Sequence, residues 1–221
     1  MAREKVIIFG NRDTAQLAGF YLKHDSDFDV VAYAIDRSFR TEESFEDLPL
    51  VDFENVEALF PPMHYQFFLP MTHRKMGATR AQKYKEAKAK GYRLISYVSS
   101  KATVFPEAQI GDNCFILEDN TIQPFTKIGN NVVLWSGNHI GHHGEICDHV
   151  FFTSHVVMSG HVRVGEFSFL GVNATIRDAV TLGSHTLVGM GAVVSRSTEP
   201  YTVYTSPSAR AWENKKSTDL M

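Results

Sequence analysis

From Val98 to Val194 the chain returns to an apolar residue at every sixth position. The anchors are Val98, Val104, Ile110, Ile116, Ile122, Ile128, Leu134, Ile140, Ile146, Phe152, Met158, Val164, Leu170, Ile176, Leu182, Val188 and Val194. Four residues after each anchor stands a mostly small side chain, as at Ala102, Ala108, Cys114, Thr126, Gly144 and Ala174. A hexapeptide period sustained without a break predicts a parallel β-helix. Three hexapeptides close one coil, so residues eighteen apart stack at about one strand spacing, ~4.8 Å. The uninterrupted series predicts no long inserted loop. It ends after Arg196, and residues 201–221 turn polar, as a partly packed, fraying tail would.

The first 96 residues carry a different pattern. Lys5-Val6-Ile7-Ile8-Phe9 reads as a short buried strand ending at Gly10. Residues 13–23 show helical spacing of Ala15, Leu17, Ala18, Tyr21 and Leu22. Residues 30–35 predict a second strand ending at Asp36, and residues 66–69 a third, ending at Pro70-Met71-Thr72. The Ala/Lys/Arg/Glu-rich stretch 76–90 predicts a helix closed by Gly91, and residues 92–96 a further strand. Strands alternating with helices imply a parallel sheet. The expected organisation is a Rossmann-like α/β domain over residues 1–96, a β-helix over 97–205 and a tail over 206–221.

A net charge of −3 leaves no basic surface to favour nucleic acid. No apolar run approaches the ~20 residues of a membrane span, and the opening Met1-Ala2-Arg3-Glu4-Lys5 lacks a signal-peptide core. The expected setting is the cytoplasm, with Cys114 and Cys147 as inert thiols.

Candidate chemistry must lie on residues that point out of the prism. Seven histidines fall between positions 139 and 185, and five (His143, His149, His155, His161, His185) share the slot three after an anchor. That slot is expected to face outward near a corner, where a solvated or interface row is tolerated. His142 and His143 stand apart. One coil later His142 stacks over Gly160 and His143 over His161. An imidazole beside a glycine N–H suits acyl transfer, since one takes a proton and the other holds an oxyanion. His143 and His161 are also close enough to share a metal ion. Their column offers only Phe125 and Ala179 besides, so a third ligand is expected, if anywhere, from a neighbouring subunit. In the N-terminal domain, Gly10, Asp36 and Met71-Thr72 end three strands. Strand ends meeting in a crevice predict a ligand site, although Gly10-Asn11-Arg12-Asp13 is no dinucleotide fingerprint.

These residues resemble bacterial left-handed β-helix acetyltransferases with an N-terminal Rossmann-like domain. Those are the nucleotide-aminosugar N-acetyltransferases of bacillosamine and perosamine pathways, with sialic-acid O-acetyltransferase relatives. The resemblance spans residues 5 to about 210. It implies His142 as base, with His143 where the family has an acidic residue, and Gly160 as oxyanion donor. It implies an acetyl-CoA groove at Val172 and Asn173 (in Leu170-Gly171-Val172-Asn173) and at Met190 and Gly191 (in Gly189-Met190-Gly191-Ala192). Arg196 would meet the coenzyme phosphates, and Pro207-Ser208-Ala209-Arg210 loosely keeps a terminal family motif. Gly10, Asp36, Met71 and Thr72 would hold the nucleotide-sugar. A homotrimer is implied, as is a place in surface-glycan (lipopolysaccharide) biosynthesis, with no metal needed for the reaction. Sugar O-acetylation, a carbonic-anhydrase-like zinc enzyme and a non-catalytic scaffold stay open as alternatives.

Overall fold

The computed structural model describes residues 3–211, 216 and 218. Much of the expected tail (212–215, 217 and 219–221) therefore lies outside the described residues.

Residues 3–96 build an α/β layer. Strand β1 (Glu4–Phe9) leads into α1 (Asp13–His24) and β2 (Phe28–Ile35). A short edge, β3 (Ser44–Phe45) and β4 (Leu48–Asp52), follows, then α2 (Val56–Leu59), β5 (Gln66–Phe68) and α3 (Ala78–Ala89). The sheet order is β3-β4-β2-β1-β5, parallel throughout except for β3 against β4. The continuous runs Val6-Ile7-Ile8 and Ala32-Tyr33-Ala34 are fully or almost fully buried, as parallel strands covered on both faces must be.

Two expectations change here. Residues 92–96 form no strand and touch the sheet through a single bridge, Leu94 to Phe67. The edge β3–β4 has no counterpart in the sequence reading. Its strands are short, and Pro49 interrupts the apolar pattern of Leu48, Leu50 and Val51.

From Tyr97 onward every anchor is the second residue of a two-residue strand, from Tyr97–Val98 to Val193–Val194. The strands stack with a register of eighteen, for example Thr121 on His139 and His139 on Val157. Anchors and small residues fill the interior, which is one continuous cluster from Cys114 to Val194. The residue three after most anchors takes a left-handed backbone, with φ of +53° to +64° from Asn113 to His185. Such a residue turns each corner, and Asn and His visit this region more readily than most side chains. Beyond Arg196, where the repeat pattern stops, the coil continues within the expected domain. Val203–Tyr204 pairs with Leu187–Val188 and extends one sheet.

The prism has three faces of different character. The face carrying Phe115, Val133, Phe151 and Phe169 lies against the α/β layer and shares its core with Val6, Ile8, Leu22 and Phe68. A second face presents Gln109, Lys127, Glu145, Arg163 and Thr181, with Arg163 donating to Glu145 at 3.1 Å. A third presents Thr103, Thr121, His139, Val157, Thr175 and Val193, of which Val157 is 40% and Val193 70% exposed.

Polar groups also lock the layer to the prism. The fully buried Arg80 of α3 donates from Nη2 to His149 O at 2.7 Å and from Nη1 to Met71 O at 3.3 Å. Burial draws its guanidinium down to about 10. Asn113 accepts from Leu69 N at 2.9 Å and donates to Asn131 at 2.8 Å. Asn131 in turn meets His149 Nδ1 at 2.9 Å.

Candidate active site

His142 and His143 stand at the corner that leaves the third, partly apolar face. Gly141 is required there because a Cβ would lie 2.5 Å from the Ser159 carbonyl carbon of the next coil. The backbone ladder fixes the two histidines: His143 N donates to Pro124 O at 3.2 Å, and His161 N donates to His142 O at 3.0 Å. The His142 N–H is capped by Gln123 Oε1 at 2.9 Å.

The imidazole of His142 leans over Gly160. A Cβ at Gly160 would sit 2.8 Å from both its Cε1 and its Nε2. Gly160 keeps an ordinary negative-φ backbone, so the close approach of the ring, not a turn, is what excludes a side chain. Among the described residues, no acceptor meets the Gly160 N–H. The opposite ring nitrogen, His142 Nδ1, faces His143 Nδ1 at 3.1 Å. His143 is held between two rings of its column, Phe125 at 4.8 Å and His161 at 4.9 Å between centroids. His161 also meets His142 edge-on at 5.1 Å. One ring nitrogen from each of His142, His143 and His161 lies within 4.8 Å of the others. The sequence looked to another subunit for a third ligand; here His142 itself stands third. Glu145 is turned away, engaged with Arg163 on the polar face.

The acetyl-CoA candidates occupy a different corner, where the chain enters the third face. Val172 lies under Met190 and Asn173 under Gly191, with Gly191 N donating to Val172 O at 2.8 Å. Val172 and Met190 are exposed apolar side chains, Met190 at 73%. Arg196 is exposed at the corner of His142, three coils above it. Within one chain the third face therefore separates His142, His143 and Gly160 from Val172, Asn173, Met190 and Gly191.

In the α/β layer, Gly10, Asp36 and Met71 follow the C-terminal ends of the adjacent strands β1, β2 and β5, and Thr72 follows Met71. Gly10, at φ +115°, donates its N–H to Ala34 O at 2.8 Å. Asp36 is already paired: Lys83 Nζ of α3 donates to it at 2.6 Å and to Glu86 at the same distance. The next residue in the loop, His73, packs its ring 4.7 Å from Phe169 of the prism. The strand-end loop thus rests on the β-helix.

His149 departs from the outward row expected for its slot. It is 7% exposed beneath Tyr84 and Arg80. Burial pulls its imidazole down from 6.5 to about 4, so it is neutral and structural at neutral pH. Cys114 is buried inside the prism and pushed up to about 12; Cys147 is pushed up to about 11, again chiefly by burial. Neither thiol has the low pKa of a reactive cysteine.

Residues 107–142 match the family described as bacterial transferase hexapeptide (six repeats), and residues 161–196 match the hexapeptide repeat of succinyl-transferase. No curated protein sequence matches the chain. Among solved structures, it is similar to perosamine N-acetyltransferase PerB from Caulobacter crescentus, in complex with CoA and GDP-perosamine. Identity is 22%, over 90% of this chain and 92% of that one, with a TM-score of 0.79. The acetyltransferase domain of PglB from Neisseria gonorrhoeae is 21% identical over 91% and 96% of the two chains, with a TM-score of 0.81. WeeI from Acinetobacter baumannii is 17% identical over 90% and 94%, with a TM-score of 0.76. The chain has the fold of these proteins.

On that fold, the sequence reading passed over Gln123 and Lys83. The column of Phe125, His143 and His161 was read from its spacing of eighteen, and the structure shows that its rings stack. Gln123 and Lys83 act through side-chain reach across elements, which carries no periodic signal.

Proposed function

We propose that the chain is an acetyl-CoA-dependent N-acetyltransferase acting on the amino group of a nucleotide-linked amino sugar. The observation that carries this reading is the His142 imidazole lying against Gly160, whose N–H is open to an incoming oxygen. The amine attacks the thioester carbonyl of acetyl-CoA. His142 Nε2 accepts the amine proton, with Nδ1–H donating to His143 Nδ1 so that the Nε2 lone pair is free. The Gly160 N–H steadies the oxyanion. Collapse forms the amide, releases the coenzyme thiolate and returns the proton to sulfur. His143 takes the orienting place of a carboxylate.

The layer of residues 1–96 is the Rossmann-like holder of the nucleotide-sugar, through Gly10, Asp36, Met71 and Thr72. Residues 97–205 are the left-handed β-helix that carries the chemistry, and 206–221 are a tail. Val172, Asn173, Met190, Gly191 and Arg196 line the acetyl-CoA groove. Because His142 and Gly191 flank opposite edges of one sheet, the groove is completed by a neighbour, in a homotrimer packed through the Val157–Val193 face. The neighbours that bind CoA with GDP-perosamine, or acetyl coenzyme A, support this reading. The chain works in the cytoplasm, in surface-glycan biosynthesis, and the reaction needs no metal.

The test is turnover of nucleotide-linked amino sugars, followed by release of free thiol. His142→Ala should lower kcat by about 10²- to 10⁴-fold with acetyl-CoA binding retained, and His143→Ala should cost less. A His142→Ala enzyme with near-normal turnover would sink the mechanism.

A further inference from the structure

Three imidazoles converging at one exposed corner exceed what proton transfer by His142 requires. His142 and His143 suffice for base and orienting partner. His161 touches both rings yet has no place in that relay. All three are exposed, and the nearest acidic side chain in sequence, Glu145, faces Arg163 instead. The donor set is therefore three imidazole nitrogens with no oxygen among them. Imidazole nitrogens suit zinc, copper, nickel or cobalt, whereas magnesium and calcium want oxygen ligands.

The spacing is that of a metal site. A tetrahedral ion with metal–nitrogen bonds of about 2.05 Å separates its ligand nitrogens by about 3.3 Å. His142 Nδ1 and His143 Nδ1 are already 3.1 Å apart. One ring nitrogen of His161 lies within 4.8 Å of one on each of the other two rings, so the set closes with a shift of about 1.5 Å at most, within reach of side-chain rotation alone. That shift opens the near-parallel stack of His143 on His161, now at 14°. The backbones stay in place, because consecutive coils hold them through the His161 N to His142 O bond.

We propose that His142, His143 and His161 bind one zinc-class divalent cation, and that its binding switches the transferase off. The second clause rests on the function proposed above. A metal taking the Nδ1 lone pair of His142 leaves that ring's single proton on Nε2. The nitrogen that should accept the amine proton then carries one already. No bond of the substrate is made or broken by the ion; it withdraws the base.

The experiment uses metal-free protein and Zn²⁺ alone, measured by calorimetry, with Co²⁺ absorption reporting the geometry. The key variant is His161→Phe. Phe occupies the same slot at positions 125 and 167 with φ of +64° and +60°, so the backbone accepts it and the stack on His143 survives. We expect one ion per chain in the wild type, with tetrahedral Co²⁺ bands. His161→Phe should weaken binding by more than the roughly 10- to 100-fold that loss of an outer-shell partner costs. In turnover assays Zn²⁺ should inhibit the wild type at the same concentrations that fill the site, while metal-free His161→Phe stays active and resistant. Absence of binding, or equal binding by His161→Phe, would overturn the site. Full turnover by zinc-saturated wild type, or a wild type that needs the metal to turn over, would overturn the switch. Stoichiometric binding lost in His161→Phe, with no acetylation of any amino sugar by either protein, would keep the site and refute the proposed function instead.

Discussion

Replacing Gly160 by alanine isolates the placement of the catalytic ring from every other feature of the corner. The new Cβ would lie 2.8 Å from Cε1 and Nε2 of His142, where ordinary contact begins near 3.4 Å. The imidazole must therefore retreat by about 0.6 Å, and misplacement by ~1 Å of a reacting group costs about 10²-fold in rate. A fall in kcat of roughly 10- to 100-fold follows. Stability should hardly move, because the obstacle is the free end of an exposed side chain and the backbone at 160 accepts alanine. Lost unfolded-state entropy could even add about 0.4–1 kcal/mol. The alanine keeps its N–H, so the oxyanion donor survives. Gly141→Ala is the control. Its Cβ would meet the Ser159 carbonyl carbon at 2.5 Å and Gly160 N at 2.6 Å. Those are backbone atoms held by the coil ladder, so it should lose about 1–3 kcal/mol. Thermal unfolding and thiol-release kinetics on both variants read the contrast. In a His142→Ala background, Gly160→Ala should do nothing further, since its only obstacle is gone. Full kcat in Gly160→Ala, or a stability loss equal to that of Gly141→Ala, would refute the reasoning.

His149 makes stability depend on pH. Its folded pKa lies below the unfolded one, so between about 6.5 and about 4 the unfolded chain takes up a proton that the folded chain refuses. Stability is complete above that window and falls as pH drops through it, by up to about 3 kcal/mol. In His149→Asn, which continues the Asn113–Asn131 column, denaturant unfolding at pH 7 and pH 4.5 should show a smaller difference than in the wild type; an unchanged difference would place the titration elsewhere. Asp36→Ala should raise the KM for the nucleotide-sugar and leave the KM for acetyl-CoA unchanged. If neither KM moves, the acceptor is held at another place.

The β-helix was legible because its energetics repeat. Each coil buries one anchor per side, so seventeen anchors specify seventeen strands, and a polar residue at any anchor would lie unpaired in the core. The 18-residue coil also made His142 over Gly160 and His143 over His161 readable as contacts. Residues 44–52 were passed over and 92–96 misread because short strands and a lone bridge are settled by neighbours, not by periodicity. His149 shares the slot and the left-handed backbone of His155 and His161, and only the packing of α3 and Arg80 above it turns an outward position into a buried one. Likewise, Asp36 is a strand-end carboxylate in sequence, yet Lys83 reaches it from a helix 47 residues away. Period and stacking, which are local and repeat along one axis, were thus determined by the sequence itself. Which face of the prism is covered, which histidine is neutral and buried, and whether Asp36 stands free were decided by tertiary packing, because those depend on side chains that approach from elements with no fixed register to the repeat.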